Sequence, residues 1–186
     1  MDYKILASRF QPFHNGHLAI LKQALLDLDD NCVFVIGIVV PSYSEPIDAT
    51  FGNVASEHLQ PDRNPWPADI PLRAVQTLID ELFAEKKKQV AITLLPSPDG
   101  SYKQLLRWFT GTRCWIIPNA NEEFDDAKAS FFESQGDSVI RYCDSTGING
   151  WKLRNAYYNR NYNAFAQEMP ACIVPIYWHH RSEYAF

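Results

Sequence analysis

The chain has 186 residues, of which 46% are hydrophobic, and this length and composition predict a single globular domain spanning residues 1–186 with a sizeable core. The formal net charge of -5 excludes the basic surface that polynucleotide binding requires. No apolar run approaches the roughly 18 residues of a membrane span, and the N-terminus lacks the apolar stretch of a signal peptide. Four widely spaced cysteines without a CxxC pair then favour a reduced, cytoplasmic protein.

Apolar runs alternate with helical periodicity over the first 143 residues. The predicted strands are residues 3–8, 32–40, 89–96, 114–119 and 138–143, and the helices between them are residues 18–28, 71–88, 101–109 and 125–135. Strands alternating with helices predict an α/β fold, a Rossmann-like doubly wound parallel sheet. The polar stretch 41–70 is too long for an ordinary connection, which indicates that it is either functional or partly disordered. Whether residues 41–62 act as a lid is left open by the sequence.

The pattern after residue 143 is helical. Helices are predicted over residues 150–159, 162–169 and 171–180, so that residues 144–186 form a C-terminal helical part of the same domain. The aromatic residues near the C-terminus are interpreted as surface residues that favour a contact between subunits, and hence a homo-oligomer, namely Tyr177, Trp178, Tyr184 and Phe186. The lysines at 86–88 are interpreted as a solvated cap of the helix 71–88.

The stretch "SRFQPFHNGH", residues 8–17, lies at the turn between the first strand and the first helix. In open α/β sheets, ligands bind outside the carboxyl ends of the strands, where a helix N-terminus offers N–H groups to an anion. His14 and His17 are spaced to reach one phosphate group together, Arg9 adds a planar cation, and Gly16 permits close approach of the backbone. The stretch therefore predicts a phosphate-binding site.

The two histidines have two other interpretations. In the first, His14 only caps the helix and His17 is a surface residue. In the second, the histidines bind zinc, but a structural zinc site needs four ligands and no Cys, Asp or Glu lies nearby at ligand spacing. We therefore expect no metal bound directly by protein side chains at this turn.

The segment "RFQPFHNGH" resembles the H-x-G-H signature of the nucleotidylyltransferase superfamily, and within it most closely that of the archaeal-type nicotinamide mononucleotide (NMN) adenylyltransferases. The resemblance implies the nucleotidylyltransferase fold. It also implies that His14 and His17 are catalytic residues. Four neighbours would then bind the nucleotide: Arg9, Phe10, Gln11 and Gly16.

Three further segments are similar to motifs of this family. "DRNPW" resembles R-[DN]-P-[FW], which implies that Arg63 binds the triphosphate. "DGSYKQLLRW" resembles D-x-x-Y…W, which implies that a nicotinamide pocket contains Asp99, Tyr102 and Trp108. "INGWKLR" resembles S-G-T-x-x-R, which implies phosphate contacts from Asn149 and Gly150 and a catalytic role for Arg154. Asn149 and Trp151 stand where the family has hydroxyl residues, a departure that bears on catalytic efficiency.

The resemblance implies transfer of AMP from ATP to NMN by direct in-line attack, which gives NAD and pyrophosphate, with Mg²⁺ bound through the ATP phosphates. Two alternatives remain open. The acceptor could be another phosphate-bearing molecule, as in cytidylyltransferases and phosphopantetheine adenylyltransferases, or the chain could be a nucleotide-binding module whose catalytic site has decayed. Individually, Arg63 and Arg154 could be surface charges, and Trp66 and Trp108 could be core aromatics instead of stacking residues.

Overall fold

A parallel β-sheet forms the centre of the molecule in the computed structural model, which describes residues 2–40, 63–96, 98–118, 123–143 and 146–180. Five strands occur in these ranges, in the spatial order β3-β2-β1-β4-β5 with every pair parallel: β1 (Asp2–Ser8), β2 (Cys32–Val40), β3 (Val90–Pro96), β4 (Arg113–Pro118) and β5 (Ser138–Tyr142). This order confirms the predicted α/β, Rossmann-like doubly wound sheet.

Seven α-helices occur within the described ranges: α1 (Asn15–Leu26), α2 (Asp69–Leu82), α3 (Pro98–Trp108), α4 (Glu123–Ser134), α5 (Gly150–Tyr158), α6 (Tyr162–Gln167) and α7 (Val174–Trp178). The predicted helix 71–88 was wrong at its end, because Phe83 leaves the helical backbone at φ -139° and a 3₁₀-helix follows over Ala84–Gln89. Lys86, Lys87 and Lys88 lie in that 3₁₀-helix. The predicted helix 171–180 is likewise divided into a 3₁₀-turn, Ala171–Ile173, and α7, because a proline at its first turn suits a helix start.

Alternate side chains of the strands enter two separate cores. Leu6, Phe34 and Ile116 face α1, α2 and the C-terminal helices, whereas their neighbours Ile5 and Trp115 face α3 and α4. Strands buried on both faces explain the continuous apolar runs of the sequence, since side chains along a strand point alternately to opposite faces.

The point where the chain changes direction across the sheet lies between β1 and β4. β1 continues through α1 to β2 on one side, whereas β4 continues through α4 to β5 on the other. Residues 9–14, here called the motif loop, follow β1 at its carboxyl end. The loop therefore lies at the topological switch point, where ligands of open α/β sheets bind.

The C-terminal helices pack on the same core as α1 and α2. The buried side chains of this part are Phe165, Met169, Ile173, Val174 and Tyr177. The prediction of Tyr177 as a surface residue was wrong, because its side chain is fully buried. Trp178 is partly buried, and Tyr184 and Phe186 lie outside the described residues. Tyr177 therefore contributes no surface for a contact between subunits.

The helices and the cysteines bear on two expectations from composition. Among the described helices, none combines the length and the apolar character that crossing a bilayer would require. All four cysteines have free thiols. Burial raises the pKa of the Cys32 and Cys172 thiols, which keeps them protonated and poorly nucleophilic at neutral pH.

Candidate active site

The motif loop is anchored in the core by its aromatic side chains. Phe10 and Phe13 are buried and their rings stack at 5.3 Å between centroids. Phe10 has a positive φ of 50°, a conformation that non-glycine residues rarely adopt, and the Gln11–Pro12 peptide bond is cis. Phe10 was predicted to bind the nucleotide, but its ring lies in the core and packs edge-on against His17 at 5.0 Å.

His14 and His17 form a stacked pair at the start of α1. Their ring centroids are 3.8 Å apart with 30° between the planes, and the N–H of His14 donates to Nδ1 of His17 at 3.3 Å. His14 occupies the N-cap position, and the two residues have the reciprocal arrangement of a capping box. His14 is thus the N-cap residue of α1 by its backbone position, and the ring of the second histidine is held directly against it. Gly16 lies buried between them in the first turn.

The pKa of His17 is held well below its ordinary value, first by burial and then by the charges of His14, Lys128 and Arg9. At neutral pH the ring is therefore uncharged. Because its Nδ1 accepts the N–H of His14, the neutral ring carries its proton on Nε2. His17 consequently offers one N–H donor directed away from its own turn.

Arg9 connects the motif loop to the segment that follows the undescribed stretch 41–62. Its Nη1 donates to Oδ1 of Asn64 at 3.1 Å. Asn64 belongs to the Arg-Asn-Pro-Trp motif at 63–66, and Arg63 beside it is partly buried. Two motifs separated by 55 positions therefore meet at the carboxyl edge of the sheet.

The same two segments are clamped by Gln11 and Trp66. The Gln11 amide donates to the carbonyl of Trp66 at 2.6 Å and accepts the N–H of Trp66 at 3.1 Å. The Gln11 side chain, predicted to bind the nucleotide, is thus bonded within the protein. Trp66 is 1% exposed, and its indole N–H donates to the carbonyl of Tyr177 at 3.0 Å, so it is a core aromatic.

The start of α5 closes the other side of the motif loop. Asn149 caps α5 by accepting the N–H of Lys152 at 3.1 Å. One turn along, Nη1 of Arg154 donates to the carbonyl of Gln11 at 2.7 Å. A Cβ at Gly150 would lie 2.9 Å from that guanidinium nitrogen and 3.2 Å from the Gln11 oxygen, so glycine is what permits this approach.

Two of the three residues predicted to form a nicotinamide pocket, Tyr102 and Trp108, are not brought to this site. The Tyr102 hydroxyl donates to Asp137 at 2.5 Å, and Asp137 directly precedes β5, near the amino ends of the strands. Trp108 is 53% exposed at the far end of α3, one residue before Phe109, whose carbonyl accepts a bond from Arg113 at the start of β4. Asp99 lies in the first turn of α3, and its side chain is outside the described part.

A buried acid explains the position of Tyr102. Asp137 accepts bonds from Trp115 Nε1 at 2.7 Å and Arg113 Nε at 2.9 Å, besides the Tyr102 hydroxyl. Burial and the bond to Asp137 raise the pKa of Tyr102 to about 12. The phenol therefore stays protonated, and its donor satisfies the carboxylate instead of reaching a ligand.

Sequence reasoning missed three residues near the motif loop. Glu168 accepts the N–H of Asn15 through its carbonyl at 3.0 Å, so the first N–H of α1 is already bonded within the protein. The Tyr177 hydroxyl bonds to the loop backbone. Lys128 of α4 adds a positive charge felt by His17. No motif marks them, because they come from helices far along the chain.

The site thus assembles two imidazoles and the guanidinium groups of Arg9 and Arg154 around one loop. Hydrogen-bond donors and cations of this kind suit phosphate oxygens. Among the described residues, no group of three or more His, Cys, Asp or Glu side chains could hold a metal ion. The arrangement can bind and orient a polyphosphate and stabilise negative charge that develops on it.

One family comparison bears on this site. Residues 5–58 match the family model described as cytidylyltransferase-like, and this segment contains the second half of β1, the motif loop, α1 and β2. The match supports the nucleotidylyltransferase superfamily and a nucleotidyltransferase type of enzyme. It covers less than half of the chain. None of the curated proteins searched matches the sequence.

Solved structures with a similar course of the chain include two distant ones. A protein from Vibrio parahaemolyticus assigned as a nicotinate-nucleotide adenylyltransferase has 13% identity and a TM-score of 0.47, covering 86% of this chain and 88% of its own. TmcAL of Thermotoga maritima, solved with α-thio ATP, has 15% identity and a TM-score of 0.43, covering 95% of this chain. The present chain spans 55% of TmcAL. Neither likeness defines a substrate.

Proposed function

We propose that the protein is an adenylyltransferase that transfers AMP from ATP to a phosphate-bearing acceptor, and that the acceptor is NMN. One observation carries the proposal: the stacked His14 and His17 lie at the switch point of a doubly wound sheet, with Arg154 bonded to the same loop. The cytidylyltransferase-like match of residues 5–58 supports the same class of chemistry.

The reaction proposed is a single displacement. An oxygen of the acceptor phosphate attacks the α-phosphorus of ATP, the bond from that phosphorus to the bridging oxygen of the β-phosphate breaks, and pyrophosphate leaves with the electron pair. Positioning and charge stabilisation supply most of the catalysis in such transfers. The described residues of the site offer those two contributions, and the proposal needs no covalent enzyme intermediate.

Each group of the site has a distinct proposed role. The neutral His17 donates from Nε2 to a phosphate oxygen, and a bound phosphate raises its pKa, which strengthens the bond as charge develops. His14 is stacked on it and binds the same phosphate region. Arg154 neutralises the developing charge from α5, while Arg9 and Arg63 hold the outer phosphates from the opposite side.

We propose that Mg²⁺ enters with ATP. The groups that converge here are imidazole and guanidinium, which bind phosphate oxygens, whereas Mg²⁺ prefers oxygen ligands and usually retains water. The chain's own residues would therefore hold the phosphates, and the phosphates would hold the ion. When bound, Mg²⁺ neutralises charge on the pyrophosphate that leaves.

The choice of NMN rests on the resemblance of the Arg63 to Trp66 segment and on its contact with Arg9. The positions of Tyr102 and Trp108 give it no support, since neither lies beside the motif loop. NMN is thus the first acceptor to test, and nicotinate mononucleotide and phosphopantetheine are the alternatives.

The test is pyrophosphate release with each acceptor, Mg²⁺, and either ATP or CTP. We expect release with ATP and NMN, and its loss in the His17→Ala variant. His179→Ala is the matched control, because His179 is an exposed histidine at the end of α7 and should leave the rate unchanged. Release that requires CTP or another acceptor would replace NMN adenylylation with that reaction.

A second candidate is a nucleotide-binding module without turnover. Asn149 and Trp151 favour it, because they replace hydroxyl residues of the family motif and the Asn149 oxygen is engaged by the Lys152 N–H. Calorimetry with ATP, together with the pyrophosphate assay, distinguishes the two functions. Binding of ATP without pyrophosphate release from any acceptor would establish the module and refute the enzyme.

A further inference from the structure

The Tyr177 side chain reaches from α7 into the middle of the motif loop. Its hydroxyl donates to the carbonyl of Phe10 at 2.9 Å and accepts the N–H of Phe13 at 3.2 Å. Both partners are main-chain groups, and they flank the two central residues of the loop. One buried oxygen therefore fixes the separation of the two ends of this turn.

The two residues bonded by Tyr177, Phe10 and Phe13, are positions where the backbone conformation must be held by surrounding contacts. Phe10 has φ 50°, and a non-glycine residue keeps such a backbone only where surrounding contacts impose it. Phe13 directly precedes His14, and both phenylalanine rings touch His17, at 5.0 and 5.3 Å between centroids. A shift of the Phe10 or Phe13 backbone would therefore displace the imidazoles.

Tyr177 is itself held rigidly. Its side chain is fully buried, and its carbonyl accepts the indole N–H of Trp66 at 3.0 Å. The Trp66 and Tyr177 rings pack edge-on at 5.2 Å. Burial raises the pKa of the Tyr177 hydroxyl, so it remains a donor to Phe10 throughout the working pH range.

We infer that Tyr177 is a positioning residue of the phosphate site, which acts through the Phe10 carbonyl and the Phe13 N–H to set the orientation of His14 and His17. The expected effect of Tyr177 on kcat rests on the proposed function, whereas its expected effect on the two histidines does not. Tyr177 lies outside the segment matched by the family model.

The test compares Tyr177→Phe with Tyr142→Phe. Tyr142 is also buried, and its hydroxyl donates to Oδ2 of Asp27 at 2.8 Å, so each variant loses one buried hydroxyl and keeps the aromatic ring. Imidazole ¹⁵N shifts are recorded through a pH titration of selectively labelled, ligand-free protein. We expect Tyr177→Phe to move the shifts and apparent pKa values of His14 and His17, and Tyr142→Phe to leave them unchanged.

The kinetic arm is kcat with ATP and the acceptor. At temperatures where the variant is folded, we expect Tyr177→Phe to lower kcat about 10- to 100-fold. Misplacement of reacting groups produces losses of this size. Unchanged histidine shifts together with a kcat equal to that of Tyr142→Phe would overturn the inference. If wild-type protein turns over no acceptor, the proposed function fails and the histidine shifts alone decide the role of Tyr177.

A measurement on the wild-type protein guards against loss of folding in the variant. If Tyr177 accepts the Phe13 N–H, that amide should exchange with solvent as slowly as amides of the central strands. Exchange of the Phe13 amide at the rate of an open loop would contradict the inference without any substitution.

Discussion

The guanidinium of Arg154 donates to the carbonyl oxygen of Gln11 at 2.7 Å, across 143 positions of the sequence. This bond joins the start of α5 to the motif loop, and Gly150 lies against both groups. A cation and the histidine turn are thus held in one arrangement before any ligand binds. Preorganisation of this kind reduces the cost of ordering the site during reaction.

Gly150→Ala tests that arrangement. The added methyl would meet a flexible guanidinium at 2.9 Å and a main-chain oxygen at 3.2 Å, so Arg154 should move away while the loop shifts slightly. We expect about a tenfold loss of kcat/KM with ATP and little change in Tm. Arg154→Ala provides the comparison, and the double variant should be no worse than Arg154→Ala. Additive losses would show that Gly150 acts independently.

The pKa of His17 makes stability depend on pH. Between its lowered folded value and the ordinary 6.5, the unfolded chain binds a proton at this imidazole and the folded chain does not. The free energy of unfolding therefore falls as pH falls below about 6.5, by up to ~1.4 kcal/mol per pH unit. Urea unfolding at pH 7.5 and 5.5 measures it. His17→Asn should flatten this dependence, and an unchanged slope would contradict the prediction.

The carboxylate of Asp137 satisfies three donors, from Tyr102, Arg113 and Trp115, at the core between the sheet and the helices α3 and α4. Asp137→Ala would leave these donors unpaired and a guanidinium without its counterion, so we expect a loss of about 3–5 kcal/mol in unfolding free energy. Chemical denaturation measures it. Because Asp137 lies near the amino ends of the strands, ATP binding below the new Tm should be unchanged.

Trp108→Ala tests whether the acceptor approaches α3. The side chain is 53% exposed and lies at the end of α3 that is distant from the motif loop, so KM for the acceptor should stay within about twofold of wild type. Lys103→Ala, another exposed change on the same helix, is the control. A large rise of KM in Trp108→Ala, without a similar rise in Lys103→Ala, would contradict this prediction and indicate that Trp108 contacts the acceptor.

The sheet and the histidine turn were predictable because their signals are local. Strands such as residues 32–40 are buried on both faces, so every position is apolar, and two histidines around a glycine directly follow such a strand. The helix end at Leu82 was mispredicted because Phe83 leaves the helical path to pack against the core, although the residues after it favour helix.

Long-range contacts explain the remaining failures. Tyr177 was interpreted as exposed because it lies near the chain end, yet it is buried by partners 164 and 167 positions away. Tyr102 fits a motif spacing, yet the buried Asp137 attracts its hydroxyl to the other end of the sheet. Such outcomes depend on which segments the fold brings together, and the spacing of residues along the sequence does not encode them.

The hydroxyl of Tyr177 and the carbonyl of Glu168 also determine when the site can form during synthesis. The motif loop leaves the ribosome early, but the groups that bond Phe10, Phe13 and Asn15 are made more than 150 residues later. A nascent chain that ends before these positions can pair its first strands without the contacts that shape the histidine turn. The arrangement of the histidine turn described above is therefore completed only after residue 177 has been synthesised.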